Sequence, residues 1–131
     1  EIAGFGGLGL QMPMYTSVFS LALFAALGLP GLSGFVGEAL VFVGAFEVYR
    51  VVTIVSALGI VLGAAYVLWM LQRVFLGPLN EKYDSLPDIS GRELTSVLPI
   101  AVIVVIFGVY PAPLINLIKT SLVHLIGQIP G

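Results

Sequence analysis

An all-α transmembrane fold with three membrane crossings, the first a discontinuous helix broken near residues 28–34, follows from three observations. Hydrophobic residues make up 59% of the chain, and Asp, Glu, Lys and Arg together only 9%, against about 25% in an ordinary soluble domain. A soluble fold of 131 residues has too much surface to cover with so few charges. Lipid removes that requirement, because there the solvent itself is apolar. The apolar residues also gather into three long runs, and the first of these is interrupted by a cluster of glycine and proline.

The first run covers residues 12–47, and up to Phe46 its only charge is Glu38. As one straight helix it would be about 54 Å long at 1.5 Å per residue, and the hydrocarbon core is only about 30 Å thick. The run Gly28-Leu29-Pro30-Gly31-Leu32-Ser33-Gly34 supplies the interruption. Pro30 lacks a backbone donor and disfavours helical geometry at Leu29. The expected elements are half-helices at 14–28 and 33–47 that together make one crossing. The second run, 51–76, is uncharged as far as Leu71. Ser56, Gly59 and Gly63 place small residues at spacings of three and four, which admits a neighbouring helix at close range. Trp69 lies near its end, where an interfacial aromatic belongs.

Residues 77–93 are polar and form the one extended stretch suited to water. The third run, 94–126, carries Pro99 in its first turns, where a missing donor matters little. Pro111 and Pro113 kink or break it. Arg73, Lys82 and Arg92 flank the 77–93 loop, whereas only Arg50 marks the turn at 47–51. An excess of basic residues marks the cytoplasmic side, so the longer loop is expected there.

Composition also excludes several functions. A net charge of −2 gives no electrostatic reason to bind nucleic acid. With no cysteine there are no disulfides and no thiolate metal sites, and His124 alone cannot build a metal cluster. No nucleophile has a visible base partner. The chain opens at Glu1-Ile2-Ala3-Gly4 with neither an initiating Met nor a basic region. It therefore reads as a piece of something longer, with no signal peptide.

Glu38 is the leading candidate for chemistry. Twelve residues, or about 18 Å of helix, separate it from Arg50, which puts it near the bilayer midplane. A charged carboxylate there costs at least about 2.5–3.5 kcal/mol on insertion scales. Desolvation favours the neutral form, so such a group is suited to loading and releasing a proton. The plainer alternative is a neutral Glu that only hydrogen-bonds a neighbouring helix. The break at Gly28, Pro30, Gly31 and Gly34 adds weight, because unwound backbone at membrane depth persists only where protein covers it or water reaches it. Discontinuous helices of this kind stand beside binding sites in transporters, although a kink that merely improves packing is the alternative.

The other features favour structural readings. Gly4, Gly6 and Gly9 fit G-x-G-x-x-G, yet no strand precedes them and no acidic residue follows at about twenty residues. They read as a flexible loop entering the first half-helix. Glu47 and Arg50 suggest a solvated pair at the membrane edge. Lys119 suggests a side chain that snorkels, Tyr66 and Trp69 read as packing or belt residues, and His124 as a surface residue.

The run from Ala26 to Glu38, AALGLPGLSGFVGE from Ala25, resembles the antiporter-like membrane subunits of respiratory complex I. Gly6-Gly7-Leu8, Met12-Pro13, MLQRVFLGP at 70–78, LPDISGRE at 86–93 and Gly108-Val109-Tyr110-Pro111 extend the resemblance in order along nearly the whole chain. Within the family it is closest to the M-type chain of bacterial NADH:quinone oxidoreductase, the counterpart of mitochondrial subunit 4. Glu rather than Lys at position 38 favours that type over its L and N sisters. The resemblance implies a C-terminal fragment holding the last three of fourteen helices, with Glu38 on the interrupted helix as the terminal proton-relay carboxylate. It implies other complex I membrane subunits and the lipid bilayer as partners, and a bacterial inner-membrane location. NADH, flavin, iron–sulfur clusters and quinone would belong to other subunits, with no cofactor or redox centre in this chain. The same fold also occurs in multisubunit sodium/proton antiporters, and a structural bundle without an ion path is the third possibility.

Overall fold

The computed structural model describes residues 5–83 and 85–127. Among them all regular structure is helical. In chain order the elements are α1 (Leu8–Gln11), α2 (Pro13–Ala26), α3 (Ser33–Val48), α4 (Arg50–Phe75), a single 3-10 turn (Glu81–Tyr83), α5 (Gly91–Val109) and α6 (Ala112–Ile126).

Local chemistry accounts for the boundaries. Pro13 opens α2, where its missing N–H would have had no partner in any case. Inside the helices, hydroxyls turn back on the carbonyl four residues earlier: Thr16 donates to Met12 O, Ser17 to Pro13 O and Thr53 to Tyr49 O, at 2.8, 2.8 and 2.9 Å. Polar side chains in apolar helices are thereby satisfied without a partner from outside. Only Tyr49 separates α3 from α4, with φ −125° and ψ 60°. α5 begins at Gly91, within the stretch the sequence assigns to loop, because Ser90 and Glu93 form a reciprocal capping box. That arrangement satisfies two amides left over at the helix start. Pro99 is accommodated within α5, and the helix closes at Tyr110 before Pro111 starts α6.

Packing is sparse. α3 lies against both α4 and α5, α2 against α5, and α1 against α2 and α4. Tyr15 and Phe19 of α2 meet Phe75 of α4 with ring centroids 6.2 and 5.2 Å apart, and Phe75 is only 3% exposed. Residues 113–127 are exposed along their length. The chain presents 9491 Å² of surface, where a compact soluble monomer of 13.8 kDa would present about 6600 Å². The excess is apolar: Val51, Val55, Leu58, Val61 and Leu62 of α4 are all at least 60% exposed. Two helices, α4 and α5, are long and apolar enough to cross a membrane.

The glycines of the N-terminal segment do not form the flexible loop that the sequence suggests. Gly4 lies outside the described residues, but Gly6 and Gly7 are buried against the turn that follows α4. The Gly7 amide donates to Leu76 O (3.4 Å) and the Asn80 amide to Gly6 O (3.3 Å). A Cβ at Gly6 would stand 2.7 Å from Pro78 O, and one at Gly9 2.8 Å from Phe75 O. Two backbones meet here at a range that only glycine permits. Stacking of Phe5 on Tyr83, 5.0 Å between centroids, closes the same contact.

Candidate functional site

The break between α2 and α3 consists of two consecutive turns. At the end of α2 the Gly28 amide donates to Ala25 O (3.2 Å) and the Leu29 amide to Phe24 O (3.1 Å), with Gly28 at φ 65°. This is a Schellman motif, which puts a left-handed residue just past the helix end. A turn with Pro30 and then Gly31 at its centre follows, closed by the Leu32 amide on Leu29 O (3.0 Å). Gly31 has φ 93°, as the third residue of a type II turn requires. Leu32 is extended and α3 starts at Ser33 without a side-chain cap.

Two further glycines bring cover over the two ends of this unwound backbone, while Leu29, Pro30 and Gly31 between them are exposed. A Cβ at Gly34 would collide with Ala25 O and stand 3.5 Å from Gly28 Cα, so the start of α3 lies directly on the end of α2. A Cβ at Gly108 of α5 would collide with Gly31 O and Leu32 Cα and stand 2.5 Å from Gly31 C. Gly28 and Leu32 are buried as a result. The sequence marks Gly34 as part of the break. It gives no sign that Gly108 covers it.

Glu38 reaches back to the break. Helical side chains lean toward the N-terminus of their helix, and the Glu38 carboxyl lies over Gly28. A Cβ on Gly28 would sit 2.6 Å from its Cδ and 2.9 Å from its Oε1, and would collide with Oε2. Glu38 itself is half-buried. The helix break and the one charge in residues 12–46 therefore form a single constellation of Gly28, Gly31, Gly34, Glu38 and Gly108.

A second carboxylate holds the far end of α2. The Met14 and Tyr15 amides donate to Asp88 Oδ2 and Oδ1 at 2.9 and 3.0 Å, and the Ile89 amide donates to Oδ1 at 2.7 Å. Met12, at the N-cap position, offers no side-chain acceptor of its own. Asp88 thus caps α2 from 74 residues away. Burial raises the tendency of Asp88 to hold its proton, but the three amides together outweigh it, and the carboxyl is held below its ordinary 3.8.

The remaining candidates stand apart. Nothing lies within 4 Å of a Cβ at Gly59, and Gly63 has only Tyr66 of its own helix at 3.9 Å. Ser56 is exposed on the same helix. The Arg50 guanidinium lies 5.3 Å from the Phe46 ring, where the sequence suggests a pair with Glu47. Arg73 lies 4.8 Å from the Trp69 ring. His124 is in the last turn of α6. Among the described residues, no three His, Asp or Glu side chains gather as a metal site would need.

The chain is similar to known membrane proteins. Residues 1–65 match the membrane-protein family described as NADH:quinone oxidoreductase/Mrp antiporter. NADH-quinone oxidoreductase subunit M of Rhodobacter capsulatus is 40% identical over 96% of the chain. The chain belongs to this antiporter-like family. NADH-ubiquinone oxidoreductase chain 4 of Arabidopsis thaliana is also 40% identical, over 93% of the chain. A chain of respiratory complex I from Thermus thermophilus superposes with a TM-score of 0.78 and 30% identity, over 85% of this chain and 23% of that one. The chain spans 25% of the length of each of the two sequence relatives.

Proposed function

We propose that the chain is the C-terminal part of a proton-translocating membrane subunit of NADH:quinone oxidoreductase, with Glu38 as its terminal proton-relay carboxylate. The observation that carries this reading is the seating of the Glu38 carboxyl on the helix break. A carboxyl within an apolar run is costly to keep ionised, and unwound backbone beside it offers amides and carbonyls where water can be held. A proton delivered to Glu38 neutralises it in hydrocarbon, and release toward the outer side restores the charge. Each charge moved across the membrane works against about 2.3 kcal/mol per 100 mV.

On this reading α2 and α3 form one discontinuous crossing, of about 21 and 24 Å of helix, α4 a second of about 39 Å and α5 a third of about 28 Å. α6, at about 22 Å, is short for a fourth. The loop bearing Lys82 faces the cytoplasm, and the membrane is the bacterial inner membrane. The exposed faces of α4 and α5, including Ser56, Gly59 and Gly63, meet lipid or other membrane subunits, and redox cofactors belong to subunits outside the bilayer.

The test is Glu38→Gln in the full-length subunit, with NADH:quinone turnover and proton uptake followed together in membrane vesicles. Loss of proton uptake in an assembled complex is the expected result. Unchanged uptake would reduce Glu38 to a packing residue. The family description also names antiporters. That second reading requires sodium-dependent proton exchange without any NADH oxidation by the purified assembly.

A further inference from the structure

We infer that Gly28 is a positioning residue for Glu38: its missing side chain leaves the space that the carboxyl occupies. The inference rests on the relay reading above for its functional consequence, but not for its geometry. Two independent demands fall on residue 28. The Schellman turn needs φ 65°, which asparagine also tolerates at this position of a helix end. The Glu38 carboxyl needs the Cβ site empty, since a Cβ would collide with Oε2 and stand 2.9 Å from Oε1. Only glycine meets both. Gly31 provides the contrast within the same break: its φ of 93° is the more demanding of the two, yet nothing lies within 4 Å of its Cβ position.

Few other groups that titrate or carry charge compete for this carboxyl. α2 carries no charged side chain, and Tyr15 lies in its first turn, at the end remote from the break. On α4, Arg50 and Arg73 occupy the two end turns, and Tyr66 between them is 67% exposed. On α5, Arg92 and Glu93 lie in the first turn, about 22 Å along the helix from Gly108. Glu47 on α3 itself is about 14 Å farther along. A change in the Glu38 environment on adding a methyl at residue 28 would therefore report on that contact.

The experiment uses the full-length subunit in its assembled complex, in membrane vesicles. It compares Gly28→Ala, Gly31→Ala, Glu38→Asp, Glu38→Gln and the double variant Gly28→Ala/Glu38→Asp. Coupled proton uptake is one readout. The other is the infrared absorption of the Glu38 carboxyl, identified as the band that Glu38→Gln removes. Gly28→Ala is expected to move that band and to lower coupled uptake by about tenfold or more, since a misplacement of about 1 Å can cost on the order of 10²-fold. Gly31→Ala, with greater backbone strain but no overlap, should leave the band in place. The shorter Asp should recover much of the uptake in the Gly28→Ala background. An unmoved band in Gly28→Ala, an equal effect in Gly31→Ala, or no recovery with Asp would each overturn the inference. Should Gly28→Ala fail to assemble, restored assembly in the double variant supports it and continued failure overturns it. Unchanged uptake in Glu38→Gln removes the relay reading alone, because the band shift in Gly28→Ala still tests the positioning.

Discussion

Gly108→Ala should separate α5 from the helix break. A Cβ at residue 108 would stand 2.5 Å from Gly31 C, against 3.4–4 Å for ordinary contact, and it would also collide with Gly31 O and Leu32 Cα. All three atoms are backbone, so no side chain can swing aside. α5 must instead withdraw by about 1 Å, or the turn at Gly31 must deform. Overpacking of this kind costs about 1–3 kcal/mol, or up to about a hundredfold in an unfolding equilibrium at 1.4 kcal/mol per tenfold. The assay is detergent-induced unfolding of the full-length subunit, read alongside amide exchange at Gly31 and Leu32. Lower stability with faster exchange at those two amides is the expected pair of results. Wild-type stability and exchange in Gly108→Ala would refute the claim that α5 covers the break at this residue.

Three more outcomes follow from the same geometry. Asp88→Ala should speed amide exchange at Met14 and Tyr15, which lose their acceptor; unchanged protection there would mean that the long-range cap is not held in solution. Because Asp88 is held below its ordinary 3.8, its hold on α2 is complete above that value and weakens as pH falls beneath it. Exchange at Met14 and Tyr15, corrected for intrinsic rates, should therefore rise only below about pH 4, and a rise already at pH 6 would assign it to another group. Ser90→Ala removes the N-cap of α5 and should cost about 1 kcal/mol, measurable as a lower unfolding midpoint of the full-length subunit, whereas a midpoint equal to wild type would show that Glu93 alone suffices.

What the sequence could and could not reveal divides along physical lines. Glu38 is legible because a charge in a long apolar run conflicts with its solvent. The break is legible because Pro30 and the glycines violate helical geometry locally. The Ser90-Gly91-Arg92-Glu93 capping signature is equally local, but the polarity of Arg92 and Glu93 assigns them to the loop, so the apolar run places the start of α5 three residues late. The contact of Glu38 with Gly28 is different in kind. It spans ten residues and depends on how two successive turns direct α3 back across the end of α2. Asp88 is one polar residue among several in its loop, and nothing near it in sequence points to Met14, 74 positions earlier. Gly108 lies in a run that any apolar helix could contain. Its role arises only where Gly31 and Leu32 come against it.

Burial within the chain follows a pattern that soluble folds do not show. Among the described residues, Gly6, Gly7, Leu8, Gly28 and Leu32 are buried beside irregular backbone, while Thr53, Val67 and Phe75 are the buried residues of α4. The regular faces of α4 and α5 are left open. In water the reverse would be expected, with helix faces joined in a core and turns at the surface. In hydrocarbon a helix satisfies its own backbone and can be left to lipid or to another subunit, whereas an unwound segment cannot. The other interruptions support the distinction: Tyr49 and Tyr110, at the turns that end α3 and α5, are 66% and 63% exposed. Those turns need no cover if they lie at the membrane surface. The one between α2 and α3 is covered at its two ends, where Gly28 and Leu32 are buried beneath Gly34, Gly108 and the Glu38 carboxyl; Leu29, Pro30 and Gly31 between them are exposed, and would need another subunit, the rest of this one or water if the break lies at membrane depth.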